Sequence, residues 1–155
     1  SLMQLIETIL AYPDFVVPEP APTDRIAGTV GSGRESWSHK RIALVEATGG
    51  EPTYLTGEDV AALSPSWSPD GQQIAYVAAP DIGPIVAGGQ PAKEGMGKRR
   101  IWAMDTDGSN PRQLTNDPKY RDECPLWSAE ASHILFVRLE DDRASLWLMR
   151  ADGSE

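Results

Sequence analysis

Short apolar runs alternate with turn residues along most of the chain, and some of these runs belong to a repeated pattern. The stretch SPSWSPDGQQIAYV, which begins at Ser64, returns as CPLWSAEASHILFV, which begins at Cys124. Trp67 then aligns with Trp127, and the apolar tetrads that follow them coincide. The repetition indicates one structural unit that is used twice.

A second pattern is interleaved with the first. The stretch RIALVEATGGEPTYLT, from Arg41, aligns without a gap to RIWAMDTDGSNPRQLT, from Arg100, and a shorter copy, SLWLMRADGSE, begins at Ser145. Each copy runs from apolar residues into a glycine-containing turn, and the two longer copies end in Leu-Thr. Because glycine accepts the positive φ of a tight turn, Asp-Gly between apolar runs predicts a β-hairpin.

Together the two patterns give a unit of four strands that recurs about every 40 residues, a period associated with propeller blades. The tetrads IAYV and ILFV are apolar at consecutive positions, so both faces of these strands are expected to be buried. Sheets stacked face to face around a channel would bury both sides. The pattern therefore predicts an all-β protein.

The stretch SPSWSPDGQQIAYV, followed by IWAMDTDGSNPRQLT, resembles the TolB-type β-propeller repeat, a WD-repeat-like blade, and the resemblance covers 41–155. It implies blades of four antiparallel strands, protein or peptide binding at a channel mouth, and a periplasmic or other extracytoplasmic location. Two departures stand out. Ala129-Glu130-Ala131 replaces Pro-Asp-Gly, so we expect a looser or longer turn of a different type. An insertion at 79–99 is unusual for the compact blades of this family.

The resemblance divides the chain into two parts and an incomplete ring of about three blades. Residues 1–24 are predicted to form a short amphipathic helix and a proline-rich linker. Residues 25–155 are predicted to form the blades: a degenerate blade at 25–56, a complete blade at 64–115 and an incomplete blade at 123–155.

A closed ring of six such blades would need about 240 residues. Either the chain is part of a longer protein, which its stop in mid-blade favours, or two copies assemble to complete the ring. The start of the sequence lacks the basic region of a signal peptide, but a processed precursor would look the same.

Charge and composition narrow the class of partner. A net charge of -9 opposes binding to nucleic acids, because that binding depends on neutralising phosphates with Lys and Arg. The chain has no apolar run of about 18 residues, so it is not expected to span a membrane. Its one cysteine, Cys124, cannot form an intramolecular disulfide and is predicted to be a small buried apolar residue.

The inserted segment is the best candidate for a binding site. It carries the one basic patch on an acidic chain, which could hold a carboxylate or an acidic partner. The alternative is a mobile, solvated loop. Trp37 lies outside the repeat and is a candidate for stacking on a ligand, whereas the other four tryptophans are predicted to pack between blades. The candidate basic residues are Lys93, Lys98, Arg99 and Arg100.

No catalytic, metal or cofactor site is predicted. There is no Gly-x-Ser-x-Gly motif. GTVGSGRE lacks the Lys and Ser or Thr of a phosphate loop, DTDGSN lacks the spacing of a calcium loop, and His39 and His133 are isolated. We therefore expect a non-catalytic scaffold that binds protein or peptide and self-associates. The alternative is the substrate-gating propeller of a prolyl-oligopeptidase-like serine peptidase.

Overall fold

The computed structural model describes residues 24–30, 39–83 and 90–154. These residues form three antiparallel sheets and one helix, so the predicted all-β class is confirmed. The predictions for 1–24, apart from Asp24, and for Trp37 fall outside the described residues.

The middle sheet, which we call blade 2, has four strands in the order of the sequence. They are β4 (Val60–Trp67), β5 (Gln73–Pro80), β6 (Arg100–Asp105) and β7 (Arg112–Gln113). Every residue of β5 from Ile74 to Ala79 is buried, as expected for a strand whose sheet is covered on both faces.

A three-stranded sheet lies on each side of blade 2. Within the described residues, blade 1 has counterparts of β5, β6 and β7, and blade 3 has counterparts of β4, β5 and β6. Blade 1 contains β1 (Arg25–Val30), β2 (Arg41–Glu46) and β3 (Thr53–Tyr54), and blade 3 contains β8 (Arg121–Trp127), β9 (His133–Glu140) and β10 (Arg143–Arg150).

The first strand of blade 2 is longer than the sequence predicts. The repeated stretch starts at Ser64, whereas β4 begins at Val60. Ser64 and its equivalent Cys124 have φ values of 55° and 53°, and the strand pairing shifts register after each of them. Both precede a proline, and a β-bulge accommodates that proline inside a paired strand. The proline concealed the strand, since proline normally argues against one.

The turn between β8 and β9 corrects a prediction from the sequence. Ala131 N–H donates to Ser128 O at 3.0 Å, and Ser128 N–H donates to His133 O at 2.9 Å. The glycine turn of blade 2 makes the same two bonds at 2.9 Å each. The prediction of a looser turn is therefore wrong. Ala131 adopts φ 55° where blade 2 has Gly71 at φ 69°, and the Ser128 hydroxyl accepts from His133 N–H at 3.1 Å, as the Ser68 hydroxyl of blade 2 accepts from Gln73 N–H at 2.9 Å.

A Leu-Thr pair fixes the outermost strand in blades 1 and 2. In blade 2, Leu114 N–H donates to Ile101 O at 2.8 Å, and Thr115 Oγ1 accepts from Ile101 N–H at 2.9 Å. In blade 1, the Leu-Thr pair at 55–56 makes the same two bonds with Ile42, at 2.8 and 3.0 Å. The second aligned pattern thus corresponds to one repeated set of hydrogen bonds.

The three sheets stack face to face and enclose two apolar clusters. Because side chains alternate along a strand, one set from β5 faces blade 1 and the other faces blade 3. The first cluster includes Ile42, Leu44, Trp67, Ile74, Tyr76 and Met104, and the second includes Val77, Ile101, Trp127, Ile134, Phe136 and Met149.

Glycine turns set the distance between neighbouring blades. Gly108 has φ 86°, and a Cβ added to it would lie 3.0 Å from Leu55 O. Gly153 has φ 89° and would meet Leu114 O at the same distance. The turns of blades 2 and 3 therefore rest directly on the Leu-Thr pair of the preceding blade.

Candidate functional site

The inserted segment leaves blade 2 between β5 and β6 and is anchored at its start. Asp81 N–H donates to Asp59 O at 2.9 Å. The Asp81 carboxylate accepts from His39 N–H at 2.6 Å and from Gly83 N–H at 2.8 Å. These bonds hold the first residues of the insertion against the neighbouring connections.

Part of the insertion is a helix, α1 (Gln90–Gly97), which the sequence did not predict. A Cβ added to Gly95 would lie 3.1 Å from the Ile82 side chain, so the helix packs closely on the start of the insertion. The Arg121 guanidinium donates to the Met96 sulfur at 3.6 Å and ties the helix to β8.

The predicted basic residues separate into two groups. Lys93 and Lys98 are exposed. Arg100 is only 8% exposed, and its guanidinium donates to Gly97 O and Arg99 O at 2.9 and 2.6 Å. Arg99 is also largely covered. Of the four predicted residues, only the two lysines therefore present their charges fully to solvent.

Arg99 instead belongs to a charged cluster that the sequence analysis did not identify. Its Nη1 donates to Glu123 Oε1 at 2.8 Å, and Arg121 Nε lies 3.4 Å from the same oxygen. Arg121 Nε is buried and has no hydrogen-bond partner in the described structure. Two guanidinium groups therefore share one carboxylate, and Arg121 keeps capacity to bind a further acceptor.

A signal for this cluster was present in the sequence. Where blade 2 has Ala61, Ala62 and Leu63, the aligned positions of blade 3 read Arg-Asp-Glu. The equivalent positions of blade 2 are apolar, so these three charged residues mark a local difference between blades 2 and 3. These positions precede the repeated stretches, which resemble each other only from Ser64 and Cys124 onward.

A second charged group lies between blades 2 and 3. Arg138 donates to the fully buried Asp122 at 2.8 and 3.1 Å. Its guanidinium also lies 4.7 Å from the Tyr120 ring centre and 4.5 Å from that of Trp147. Fixed by a carboxylate and aromatic rings, Arg138 has a structural role in this interface.

A depression of about 190 Å³ adjoins this group. It is smaller than the 300–1,000 Å³ or so of typical small-molecule sites. Its lining includes Leu114, Asp117, Phe136, Arg138, Trp147 and Gly153.

The tryptophans that the structure describes are packed against the apolar clusters. Trp67 and Trp127 are buried in the first and second clusters, and Trp102 and Trp147 are partly buried against them. A role for Trp37 in ligand stacking stays a prediction.

Cys124, the one cysteine of the chain, is a further group to consider for chemistry. Burial raises the pKa of the Cys124 thiol to about 11, so this cysteine is a weak nucleophile at neutral pH.

The described residues contain no group of three or more potential His, Cys, Asp or Glu ligands for a metal ion. Among them, too, no helix is long and apolar enough to cross a membrane.

Comparisons with known proteins place this arrangement among propellers. No protein-family model matches the chain. It is 28% identical over 133 residues to the uncharacterized peptidase YuxL of Bacillus subtilis, covering 83% of this chain and 18% of that protein. It is 31% identical over 87 residues to the Tol-Pal system protein TolB 1 of Novosphingobium aromaticivorans, covering 56% and 16% respectively. The chain thus spans less than a fifth of the length of these curated relatives.

The structural match extends over more of the chain. The TolB structure from Agrobacterium tumefaciens superposes with a TM-score of 0.65 and 21% identity, covering 85% of this chain and 43% of that one. This match, together with the stacked sheets and repeated turns, confirms the predicted fold. The described residues form three blades of a partial β-propeller, similar in fold to this structure.

Proposed function

We propose that the chain is a non-catalytic scaffold that binds a protein or peptide at the end of the propeller that carries the insertion. The observation that supports this most directly is the partly exposed Arg121 guanidinium beside α1, whose Nη1 donates to the weak acceptor sulfur of Met96. A carboxylate of a partner would satisfy this guanidinium better than the thioether does.

The surroundings favour an acidic ligand. Lys93 and Lys98 are exposed on and beside α1, while Glu123 is already shared by Arg99 and Arg121. Lysines at the rim would attract an acidic segment, and Arg121 would fix its carboxylate.

A selection from a random peptide library against the immobilised chain tests this function. We expect enriched peptides to contain Asp or Glu, and Arg121→Gln to weaken their binding about tenfold, since it removes a charged hydrogen bond. Arg150→Gln is the matched control, because it removes the same charge from an exposed arginine near the Gly153 turn. Selected peptides whose binding is indifferent to Arg121→Gln and Lys98→Glu would refute the proposed site.

The propeller of a serine peptidase is the second candidate. The match to a peptidase over 83% of this chain favours it. In that case the same face would control the access of peptides to a separate catalytic domain. A Gly-x-Ser-x-Gly motif followed by Asp and His in the parent gene would favour the peptidase over the scaffold.

Self-association is also proposed, as is a location in the bacterial periplasm. Leu126 and Leu148 are 42% and 57% exposed on the side of blade 3 that faces away from blade 2, and a second copy could cover them. Leu148→Glu should then convert a dimer to a monomer in sedimentation experiments, and a wild-type monomer at micromolar concentrations would contradict this. Similarity to a Tol-Pal system protein supports the location, which fractionation of the source cells would test.

A further inference from the structure

Met96 is the accessible methionine among those that the structure describes. It lies in the last turn of α1 and is partly exposed. Met104 and Met149 are instead buried, at 1% and 3% exposure, in the first and second apolar clusters. Because oxidation of methionine requires access to the sulfur, an oxidant in solution should react with Met96 before it reacts with the other two.

The Met96 sulfur lies against a guanidinium. Arg121 Nη1 donates to it at 3.6 Å, in a contact that joins α1 to β8. Glu123 holds this guanidinium in place, since its Oε1 lies 3.4 Å from Arg121 Nε and also accepts from Arg99. A thioether is a weak acceptor, so the contact with Met96 contributes little in its present form.

A stronger acceptor at Met96 would change how α1 is attached. Most described residues of the helix are exposed, and the partly buried ones are Gly95 and Met96. Gly95 rests on Ile82 of the same insertion, whereas Met96 reaches β8 in the next blade. The strength of the bond between Met96 and Arg121 therefore affects how tightly the helix is tied to blade 3.

We propose that Met96 is an oxidation site and that its sulfoxide fastens α1 to blade 3 through Arg121. Hydrogen peroxide transfers one oxygen atom to the sulfur: an S–O bond forms as the O–O bond breaks, and sulfur gives up two electrons. The other peroxide oxygen takes the proton of the transferred one and leaves as water. A methionine sulfoxide reductase reverses the change.

The sulfoxide oxygen is a polar acceptor beside a fixed cation. It accepts a charge-assisted hydrogen bond from Arg121 Nη1, which is stronger than the bond to the thioether. Oxidation therefore tightens the attachment of α1 to β8. This proposal does not depend on the acidic ligand proposed above, since it concerns residues of the chain alone.

Peptide mapping by mass spectrometry tests the oxidation site. The whole chain is exposed to millimolar hydrogen peroxide in its folded state. We expect Met96 to be oxidised at least about tenfold faster than Met104 and Met149, because both of those are buried. Equal rates at the three methionines would overturn the assignment of Met96 as the site.

Amide hydrogen exchange tests the attachment of the helix. We expect exchange in α1 to slow about threefold on oxidation, since a charge-assisted hydrogen bond replaces a weak one. Met96→Gln places a carbonyl oxygen near the position of the sulfoxide oxygen and should slow exchange without peroxide. Met96→Leu is the matched control, because it has no acceptor, and peroxide should leave its exchange in α1 unchanged.

Arg121→Leu identifies the donor. It removes the guanidinium beside Met96, while Glu123 keeps its bond to Arg99. In this variant oxidation should no longer slow exchange in α1, and slowing equal to that of the wild type would overturn the proposal. The comparison of Met96→Gln with Met96→Leu needs no change at Arg121, so it decides the question even where Arg121→Leu fails to fold. Equal exchange in those two variants would overturn the proposal as well.

Discussion

Asp122 and Arg138 lie opposite each other on β8 and β9 and form a two-point ion pair at 2.8 and 3.1 Å. In blade 2 the equivalent cross-strand pair is Ala62 and Ala78. Blade 3 thus holds a buried ion pair at a position where the repeat also accepts two methyl groups.

Removing one partner of this pair should destabilise the fold strongly. Asp122→Ala leaves the Arg138 guanidinium buried without its carboxylate, which costs about 3–5 kcal/mol. Urea unfolding followed by tryptophan fluorescence measures the change in the free energy of unfolding.

The double variant Asp122→Ala with Arg138→Met is the control for that experiment. It removes both charges and keeps much of the side-chain volume, so we expect it to be more stable than Asp122→Ala alone. If the loss of unfolding free energy in the double variant equals the sum of the losses in Asp122→Ala and Arg138→Met, the ion pair is not the source of the effect.

Gly108 should tolerate alanine less well than Gly49 does. Both have positive φ, 86° and 94°, so each Gly→Ala change should cost about 1–2 kcal/mol of backbone strain. Only Gly108 would also place its Cβ 3.0 Å from Leu55 O, whereas Gly49 faces open space in the described structure. The clash should add roughly 1–3 kcal/mol, and calorimetric melting of both variants would show the difference. Equal melting temperatures would mean that the turn does not support the contact between blades.

Ala131→Gly should stabilise the protein. Ala131 has φ 55°, a conformation that costs a residue with a Cβ about 1–2 kcal/mol and glycine almost nothing. Ala129→Gly, in the same turn but outside the residues with positive φ, should instead be destabilising by about 0.5–1 kcal/mol, because it only makes the unfolded chain more flexible. Thermal unfolding of the two variants provides the comparison, and a loss of stability in both would contradict the assignment of strain to Ala131.

Cys124 should make the fold sensitive to alkaline pH. Burial raises the pKa of its thiol from 9.0 to about 11. Since the folded pKa lies above the unfolded one, the stabilisation is fully present below pH 9.0 and is lost as the pH rises through about 11.

The contribution of the thiol can be isolated with Cys124→Ala. The difference in unfolding free energy between the wild type and this variant should shrink from pH 9.0 to 11, and alkylation of Cys124 by iodoacetamide should be slow at pH 8. A difference that does not change with pH would show that the thiol titrates normally.

The repeats made the fold predictable, because spacing alone placed Ile42 and Ile101 at equivalent positions of two blades. The turn at Ala131 was not predictable, because the rule that such a turn needs glycine omits residues that adopt a positive φ despite their Cβ, as Ala131 does at 55°. The early start of β4 was concealed by Pro65, since proline normally argues against a paired strand.

The site was less predictable than the fold. The glycines of the insertion concealed α1, although Pro91 in its first turn and the following Ala-Lys-Glu are compatible with a helix. Clustering of charge in the sequence suggested four basic ligand groups. It could not show that Arg100 turns inward to backbone carbonyls, or that Arg99 pairs with Glu123. Both outcomes depend on contacts across the fold.

The contacts of Gly108 with Leu55 and of Gly153 with Leu114 are made to backbone as well as side-chain atoms. A junction of this kind places few demands on side-chain identity, which is consistent with its recurrence between blades 1 and 2 and between blades 2 and 3. The ion pair between Arg138 and Asp122 is different. It makes blade 3 depend on two particular side chains, whereas the equivalent positions of blade 2 hold two alanines.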